Sequence, residues 1–367
     1  MSCDFIALAN QGVQKLSPYQ TGKPIDELKR ELGLDDIIKL ASNENPLGCS
    51  PLAIAAIQAE LKQVSLYPDG NGFNLKQAIQ QKFGFELNCI TLGNGSNDIL
   101  ELVARAYIAQ GESAVYSQHA FAVYPLAVQA VGGIGIEVPA KNFGHDLEAM
   151  AAAIQANTKV VFIANPNNPT GTWFERHEFE QFMAQVPAHV LVVLDEAYVE
   201  YVTDAGFING FDYVKQYANL IVSRTFSKAY GLASLRVGYA IASADVTNIL
   251  NRVRQPFNVN SFALAAATAA LQDESFVKQS RELNSAGMAQ LEQGLSALGL
   301  GFIPSKGNFI AFDTGRPCLP VFQALLQQGV IVRPIANYGL PNYLRVSIGL
   351  ESENARFLAA LKQVLAV

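Results

Sequence analysis

The sequence predicts an α/β protein built on a mainly parallel sheet covered by helices. Apolar runs of strand length alternate with amphipathic helical stretches over about residues 87–242. Two of these runs, Val160-Val161-Phe162-Ile163-Ala164 and Val190-Leu191-Val192-Val193-Leu194, are apolar throughout, as strands buried on both faces are. Each run ends abruptly in polar, turn-forming residues, and ligands collect at the carboxyl ends of such strands. With 367 residues, half of them apolar, the chain can bury one large core or two unequal ones.

In chain order, the first chemical signal is Gly93-Asn94-Gly95-Ser96, which opens a helix expected over 97–109. Free amide donors and the positive end of the helix dipole face that glycine turn, and phosphate is their natural occupant. Ser and Asn also suit a plain N-cap there. The run ending at Ala164 leads into Asn165-Pro166-Asn167-Asn168-Pro169-Thr170-Gly171. Two prolines and a glycine set a rigid turn, and the asparagine amides it holds can donate to a ligand, although the same composition suits an ordinary turn.

The next run ends in Asp195-Glu196-Ala197-Tyr198. A carboxylate at that strand end would keep a facing heteroaromatic nitrogen protonated. Then comes Ser223-Arg224-Thr225-Phe226-Ser227-Lys228-Ala229-Tyr230-Gly231-Leu232, with Arg236 close behind. A lysine amine attacks an aldehyde only when deprotonated, and a fixed cation together with partial desolvation lowers its pKa toward that state. Arg236 is expected to supply the cation and to grip phosphate. Taken alone, this segment also fits a solvated surface lysine. The order amide, carboxylate, lysine at successive strand ends favours a site.

From about residue 275 the texture changes. A long helix is expected to 298, then short strands near 301–304 and 308–313 and a helix near 318–327. Strands at 330–332 and 343–346 and a closing helix over 351–365 complete the chain. There is no internal repeat, low-complexity tract or Gly/Ser-rich linker.

The net charge of −6 argues against nucleic-acid or anionic-membrane partners, since no basic field gathers around such a protein. Met1-Ser2-Cys3-Asp4-Phe5 lacks a basic region leading into a long apolar segment, and no later apolar run reaches spanning length. A cytoplasmic protein is expected. Cys3, Cys49, Cys89 and Cys318 form no Cys-x-x-Cys pair, and His119, His145, His177 and His189 show no metal-ligand spacing. Neither a disulfide framework nor a metal site is expected.

Further motifs are Leu16-Ser17-Pro18-Tyr19-Gln20, Asn43-Glu44-Asn45-Pro46-Leu47-Gly48, Tyr67-Pro68-Asp69-Gly70, Arg254-Gln255-Pro256-Phe257-Asn258-Val259-Asn260 and Tyr343-Leu344-Arg345-Val346. With these and the strand-end motifs, the chain resembles the fold-type I pyridoxal-phosphate aminotransferases, most closely the histidinol-phosphate aminotransferases. The match runs almost from end to end. It implies a large domain, 42–275, whose mainly parallel seven-stranded sheet is sandwiched by helices. A smaller α+β domain would combine 1–41 with 276–367, the N-terminal segment packing on the C-terminal part.

The same resemblance implies pyridoxal 5′-phosphate as cofactor, with Lys228 carrying it as a Schiff base and moving a proton between the substrate Cα and C4′. Asp195 would hold the ring nitrogen protonated. Asn168 and Tyr198 would meet the phenolic oxygen. Phe121 would stack on the ring where many relatives have tyrosine. Ser96, Asn97, Thr225, Ser227 and Arg236 would hold the phosphate, with Tyr67 donated by the neighbouring subunit of a homodimer with shared active sites.

Tyr19, Asn45, Arg333 and Arg345 are the implied substrate-binding residues, the arginine forks matching carboxylate and phosphate alike. The implied reaction converts L-histidinol phosphate and 2-oxoglutarate to imidazole-acetol phosphate and L-glutamate, in histidine biosynthesis. An aromatic amino acid aminotransferase, or an enzyme of broad specificity, would keep every cofactor residue and differ only in the pocket. A decarboxylase acting on a phosphorylated amino acid would share the scaffold without needing a keto acid. A non-catalytic module on this fold would be expected to carry a DNA-binding segment or to lack the lysine.

Overall fold

The structure, a computed structural model, describes residues 3–19 and 21–365. Gln20, which closes the Tyr19 motif, and the outermost residues at both ends of the expected small domain lie outside the described residues. A short strand, β1 (Ile38–Lys39), precedes seven that share one sheet. These are β2 (Ile90–Gly93), β3 (Ser113–Ser117), β4 (Ile134–Val138), β5 (Thr158–Ala164), β6 (Leu191–Asp195), β7 (Leu220–Thr225) and β8 (Gly238–Ile241). Their spatial order is β2-β8-β7-β6-β5-β3-β4, with β8 antiparallel to both its neighbours and the rest parallel to one another. This is the mainly parallel seven-stranded sheet that the sequence led us to expect.

Alternation along the central strands feeds two cores. Val161, Ile163, Val192, Leu194 and Val222 pack with Phe179 and Phe182 of the Arg176–Gln185 helix. Val160, Phe162, Leu191, Val193 and Ile221 pack with Leu100 and Val103 of the Ser96–Tyr107 helix. Both faces are covered, which is why these strands read as unbroken apolar runs. The edge strand β4 buries only Val138 and reads less apolar accordingly.

Register brings the motifs together. Ala164 pairs with Asp195, and Asp195 with Ser223, so the segments leaving β5, β6 and β7 begin in one row. The Asn165 turn, the Asp195 carboxylate and the Thr225–Lys228 segment therefore emerge side by side.

The remaining strands are β9 (Phe302–Ile303), β10 (Phe309–Asp313), β11 (Val330–Ile331), β12 (Arg333–Pro334) and β13 (Tyr343–Ser347). A four-stranded antiparallel sheet has the order β12-β13-β10-β9, packed with the Glu274–Ala297, Cys318–Gln327 and Glu351–Leu365 helices. The single strand expected at 330–332 is divided. Val330 and Ile331 pair in parallel with Ile38 and Lys39, whereas Arg333 and Pro334 pair antiparallel with Arg345 and Leu344. The chain changes sheets at Val332, a step its apolar composition does not reveal.

Residues of the N-terminal segment divide as well. Leu28, Leu40 and Ala41 are buried against apolar residues of the C-terminal part, among them Leu326, Ile331 and Val346. The Gln11–Gln14 helix departs from the expected packing and rests on the Val123–Ala130 helix beside the large sheet. A Cβ at Gly12 would lie 2.0 Å from the Gln129 carbonyl oxygen, so only glycine permits that approach. Among the described residues no helix is long and apolar enough to cross a membrane.

Candidate active site

A cavity of about 260 Å³ opens beyond the carboxyl ends of β5, β6 and β7. Of the residues singled out in the sequence, all but Asn45 and Tyr67 line it.

Asp195 ends β6 at 5% exposure. One oxygen, Oδ2, accepts the Tyr124 hydroxyl at 3.0 Å; the other, Oδ1, is buried without a hydrogen-bond partner. Burial raises the carboxyl to about 6, against the lowering effect of the Tyr124 hydrogen bond. The adjacent Glu196 is spent elsewhere: Arg224 donates to its Oε2 at 2.7 and 2.9 Å, and the Gly210 amide donates to its Oε1 at 2.6 Å. Among the described residues no cation forms an ion pair with Asp195.

Lys228 donates from Nζ to the Ser42 carbonyl at 3.1 Å. Its amine is brought down to about 7, first by burial, then by Arg345, with Arg236 and Lys39 adding smaller repulsions and Glu44 opposing them. The sequence pointed to Arg236 as the depressing cation. Arg345, which is distant in the chain, outweighs it.

This shift has a consequence for stability. An unfolded lysine stays protonated up to about 10.5, so the folded state binds fewer protons between pH 7 and 10.5. The cost of burying Lys228 is fully present below pH 7 and vanishes as the pH rises through that window. Lys228→Met is therefore expected to stabilise the ligand-free protein below pH 7, with the gain shrinking toward pH 10.5. Urea titrations of both proteins across that range check this.

Another part of the cavity lining is formed by the start of a helix, two hydroxyls and Arg236. The Ser96–Tyr107 helix begins without a side-chain cap, after Gly95 at φ +83°. A Cβ on Gly95 would lie 2.4 Å from Arg236 Nη2, so glycine lets the guanidinium reach the helix terminus. Arg236, itself at φ +55°, donates from Nη1 to Ser227 Oγ and to the Ala233 carbonyl, each at 3.2 Å. Thr225 Oγ1 accepts the Ser227 amide at 3.1 Å. Amide donors, hydroxyls and a cation thus converge where the sequence expected phosphate.

Arg333 and Arg345 are direct cross-strand partners on β12 and β13, at 8% and 6% exposure. Like charges directly opposed on a sheet are destabilising, and such an arrangement suits an anion that neutralises both. Arg345 donates from Nη2 to the Ala41 carbonyl at 2.7 Å and from Nη1 to Asn168 Oδ1. A guanidinium only donates, so the Asn168 oxygen must face it, and its NH₂ is the group left for a ligand. Burial lowers the Arg345 pKa from its ordinary value. The Arg333 guanidinium lies 6.0 Å from the centre of the Tyr19 ring.

Phe121 lines the cavity and meets Tyr124 edge-on, ring centres 5.9 Å apart. The Tyr198 hydroxyl accepts the Asn43 amide at 2.9 Å. Asn45 does not reach the cavity, because its NH₂ is committed to the Ala229 carbonyl and to Ser280 Oγ, at 2.9 and 2.8 Å. Its neighbours Ser42 and Asn43 line the cavity instead, as do Thr21 and Gly22. The Asn-x-Asn pattern was a usable signal, but it does not say which asparagine turns inward. Tyr67 is 83% exposed and stacks on Phe257 with ring centres 4.8 Å apart, outside its own chain's cavity.

Comparison with known proteins accords with this geometry. The family described as aminotransferase class I and II matches residues 35–361. Histidinol-phosphate aminotransferase 2 of Pseudomonas fluorescens strain Pf0-1 is 64% identical over 368 residues, covering 100% of each chain. Its counterpart from Pseudomonas aeruginosa PAO1 is 65% identical over 365 residues and 99% of each chain. The crystal structure of histidinol-phosphate aminotransferase from Sinorhizobium meliloti in complex with pyridoxal-5′-phosphate superposes with a TM-score of 0.90 at 28% identity, covering 97% of each chain. Identity of 64–65% over nearly all of the residues shows the family: this chain belongs to the histidinol-phosphate aminotransferases, within the class I and II aminotransferases.

Proposed function

We propose that this chain uses pyridoxal phosphate to transfer the amino group of L-histidinol phosphate to 2-oxoglutarate, yielding imidazole-acetol phosphate and L-glutamate in histidine biosynthesis. The observation that carries this reading is the arrangement of one cavity: a lysine whose amine is half neutral at about pH 7, a buried carboxylate with an unpartnered oxygen, and two opposed arginines. The relatives named for this activity and the solved relative that holds pyridoxal phosphate support it.

The residues fit that cofactor. Oδ1 of Asp195 lacks a donor, which a protonated ring nitrogen supplies, and the cradle of Ser96, Asn97, Thr225, Ser227 and Arg236 suits a phosphate dianion. Asn168 and Tyr198 offer an NH₂ and a hydroxyl to the phenolic oxygen, and Phe121 offers a flat apolar face. When bound, pyridoxal phosphate supplies an aldehyde for amines and an electron-withdrawing ring. Lys228, whose amine is brought down to about 7, would take the proton from the substrate Cα and deliver it to C4′ on the far side of the shared nitrogen. Asp195 holds the positive charge on the ring nitrogen. Arg333, Arg345 and Tyr19 bind the phosphate of one substrate and the carboxylates of the other, one acidic group replacing another in the same cationic pocket.

On the same reading the protein acts as a homodimer that shares its sites. Tyr67, Leu66, Val64, Leu61 and Phe257 are exposed apolar residues of the kind a second subunit covers, and Tyr67 is then free to reach the partner's phosphate site. Residues 42–275 form the cofactor-bearing domain, with the smaller domain built on the antiparallel sheet.

The test is a single-turnover spectrum of the cofactor-loaded protein mixed separately with histidinol phosphate, glutamate and phenylalanine. Fast conversion by the first two with slow conversion by phenylalanine is expected. The reverse order would assign the chain to aromatic amino acids. Arg333→Ala is expected to reduce kcat/KM for histidinol phosphate by about 100-fold, and that for phenylalanine by much less, because a lost charge-assisted pair affects the anion that used it. Equal losses on both substrates would remove Arg333 from phosphate recognition.

A further inference from the structure

Three consecutive residues of the N-terminal segment each hold a different side chain of the site. The Ala41 carbonyl accepts from Arg345, the Ser42 carbonyl accepts from Lys228, and the Asn43 side chain donates to Tyr198. The third contact differs from the others because it decides a direction. Asn43 is 1% exposed, and all four of its polar groups are engaged. Its backbone N–H donates to Ser347 Oγ at 2.8 Å, and its carbonyl accepts from Asn308 at 3.0 Å. Its Oδ1 accepts from the Ser347 hydroxyl at 3.1 Å, which leaves Nδ2 as the atom that faces Tyr198 at 2.9 Å.

The Ser347 hydroxyl orients the amide. Ser347 Oγ receives the Asn43 backbone N–H, so its own hydrogen is available for Oδ1. With Oδ1 so occupied, Nδ2 donates to the Tyr198 oxygen. A phenol oxygen that accepts this bond has to send its single hydrogen elsewhere. Tyr198 lines the cavity, so its hydrogen is available to a group bound there.

We propose that Asn43 is a positioning residue which, locked by Ser347, forces Tyr198 to act as a hydrogen-bond donor into the cofactor cavity. The inference rests on the reading of that cavity as a pyridoxal-phosphate site. A donor to the phenolic oxygen draws negative charge from the bound chromophore and weakens its hold on its proton. The pH midpoint of the visible absorbance therefore reports the direction of the Tyr198 hydrogen, which a merely structural residue does not control.

Asn43 sits at φ +56°, so Asn43→Gly keeps the backbone conformation, and with it the main-chain bonds to Ser347 and Asn308, while removing the amide. The experiment is a spectrophotometric pH titration of the holoenzyme for the parent, Asn43→Gly, Tyr198→Phe and the double variant, with Ser347→Ala as a second way of freeing the amide. Asn43→Gly is expected to raise the midpoint by on the order of one unit, Tyr198→Phe by at least as much, and Ser347→Ala by less. In the Tyr198→Phe background Asn43→Gly should add nothing, since no hydroxyl remains to be steered.

An unchanged midpoint in both Asn43→Gly and Ser347→Ala, or full additivity with Tyr198→Phe, would overturn the proposal. Failure of the parent protein to acquire any visible band on adding pyridoxal phosphate would instead overturn the cofactor reading, so the two failures are distinguishable.

Discussion

Lys228→Ala is expected to reduce turnover by at least about 10⁴-fold and to abolish the visible absorbance of covalently held pyridoxal phosphate. The magnitude follows from two roles carried by one amine. Nucleophilic attachment needs a neutral nitrogen, and Lys228 is brought to about 7 by burial and by the Arg345 guanidinium. Proton transfer at the substrate Cα needs the same nitrogen close to its own pKa at working pH, where a general base is most effective. Among the described residues no other lysine lines the cavity. A small primary amine in the buffer is expected to restore part of the rate, because Asp195, the arginines and the anion cradle remain in place around the vacated space. Absorbance and stopped-flow measurements on the purified variant check this. A variant that kept its visible band and lost less than tenfold in rate would exclude Lys228 from both roles.

The second large effect is expected at Asp195. Asp195→Asn should lower the single-turnover rate by about 10³-fold while weakening cofactor affinity far less, since a preorganised buried charge acts mainly on charge that develops during reaction. The substitution is nearly isosteric, and the Tyr124 hydroxyl retains an oxygen to bond. What is lost is the negative charge on an atom that has no other partner. A neutral amide cannot hold a proton on a ring nitrogen, so the ring withdraws electrons less strongly. Equilibrium dialysis and single-turnover rates on the same preparation separate the two quantities. If cofactor affinity falls by the full factor and the loaded fraction reacts at the parent rate, Asp195 is an anchor and not an electronic partner.

The relation of Asp195 to Glu196 shows how far local reading extends. Both follow an apolar strand and both are acidic, and the pattern marks the position without choosing between them. Successive strand residues point to opposite faces, which sends Glu196 to Arg224 and the Gly210 amide and leaves Asp195 at the cavity. Arg224 lies 28 residues from Glu196 along the chain, on the neighbouring strand β7, so the pairing is a property of the sheet.

Asn43 and Asn45 repeat the lesson in a loop. The motif was visible, but Asn45 was the residue assigned to substrate, whereas its amide is held by Ala229 and Ser280 and Asn43 faces inward. The main-chain contacts were not legible at all. Every residue carries a carbonyl, and nothing about Ala41 or Ser42 announces that theirs will meet Arg345 and Lys228 across 304 and 186 residues.

The sequence by itself determined the sheet class, the covered faces and the three strand-end motifs, because alternation, unbroken apolar runs and turn chemistry are local properties of a chain. It also placed the glycine that admits Arg236 to the helix terminus, since positive φ and close approach favour that residue. The tertiary structure decided which charges act on which. The opposition of Arg333 and Arg345 depends on the register of two short strands. The depression of Lys228 depends first on burial and then on an arginine more than a hundred residues away. Electrostatic effects fall with distance in space and rise with desolvation, and neither quantity is written in the order of the residues.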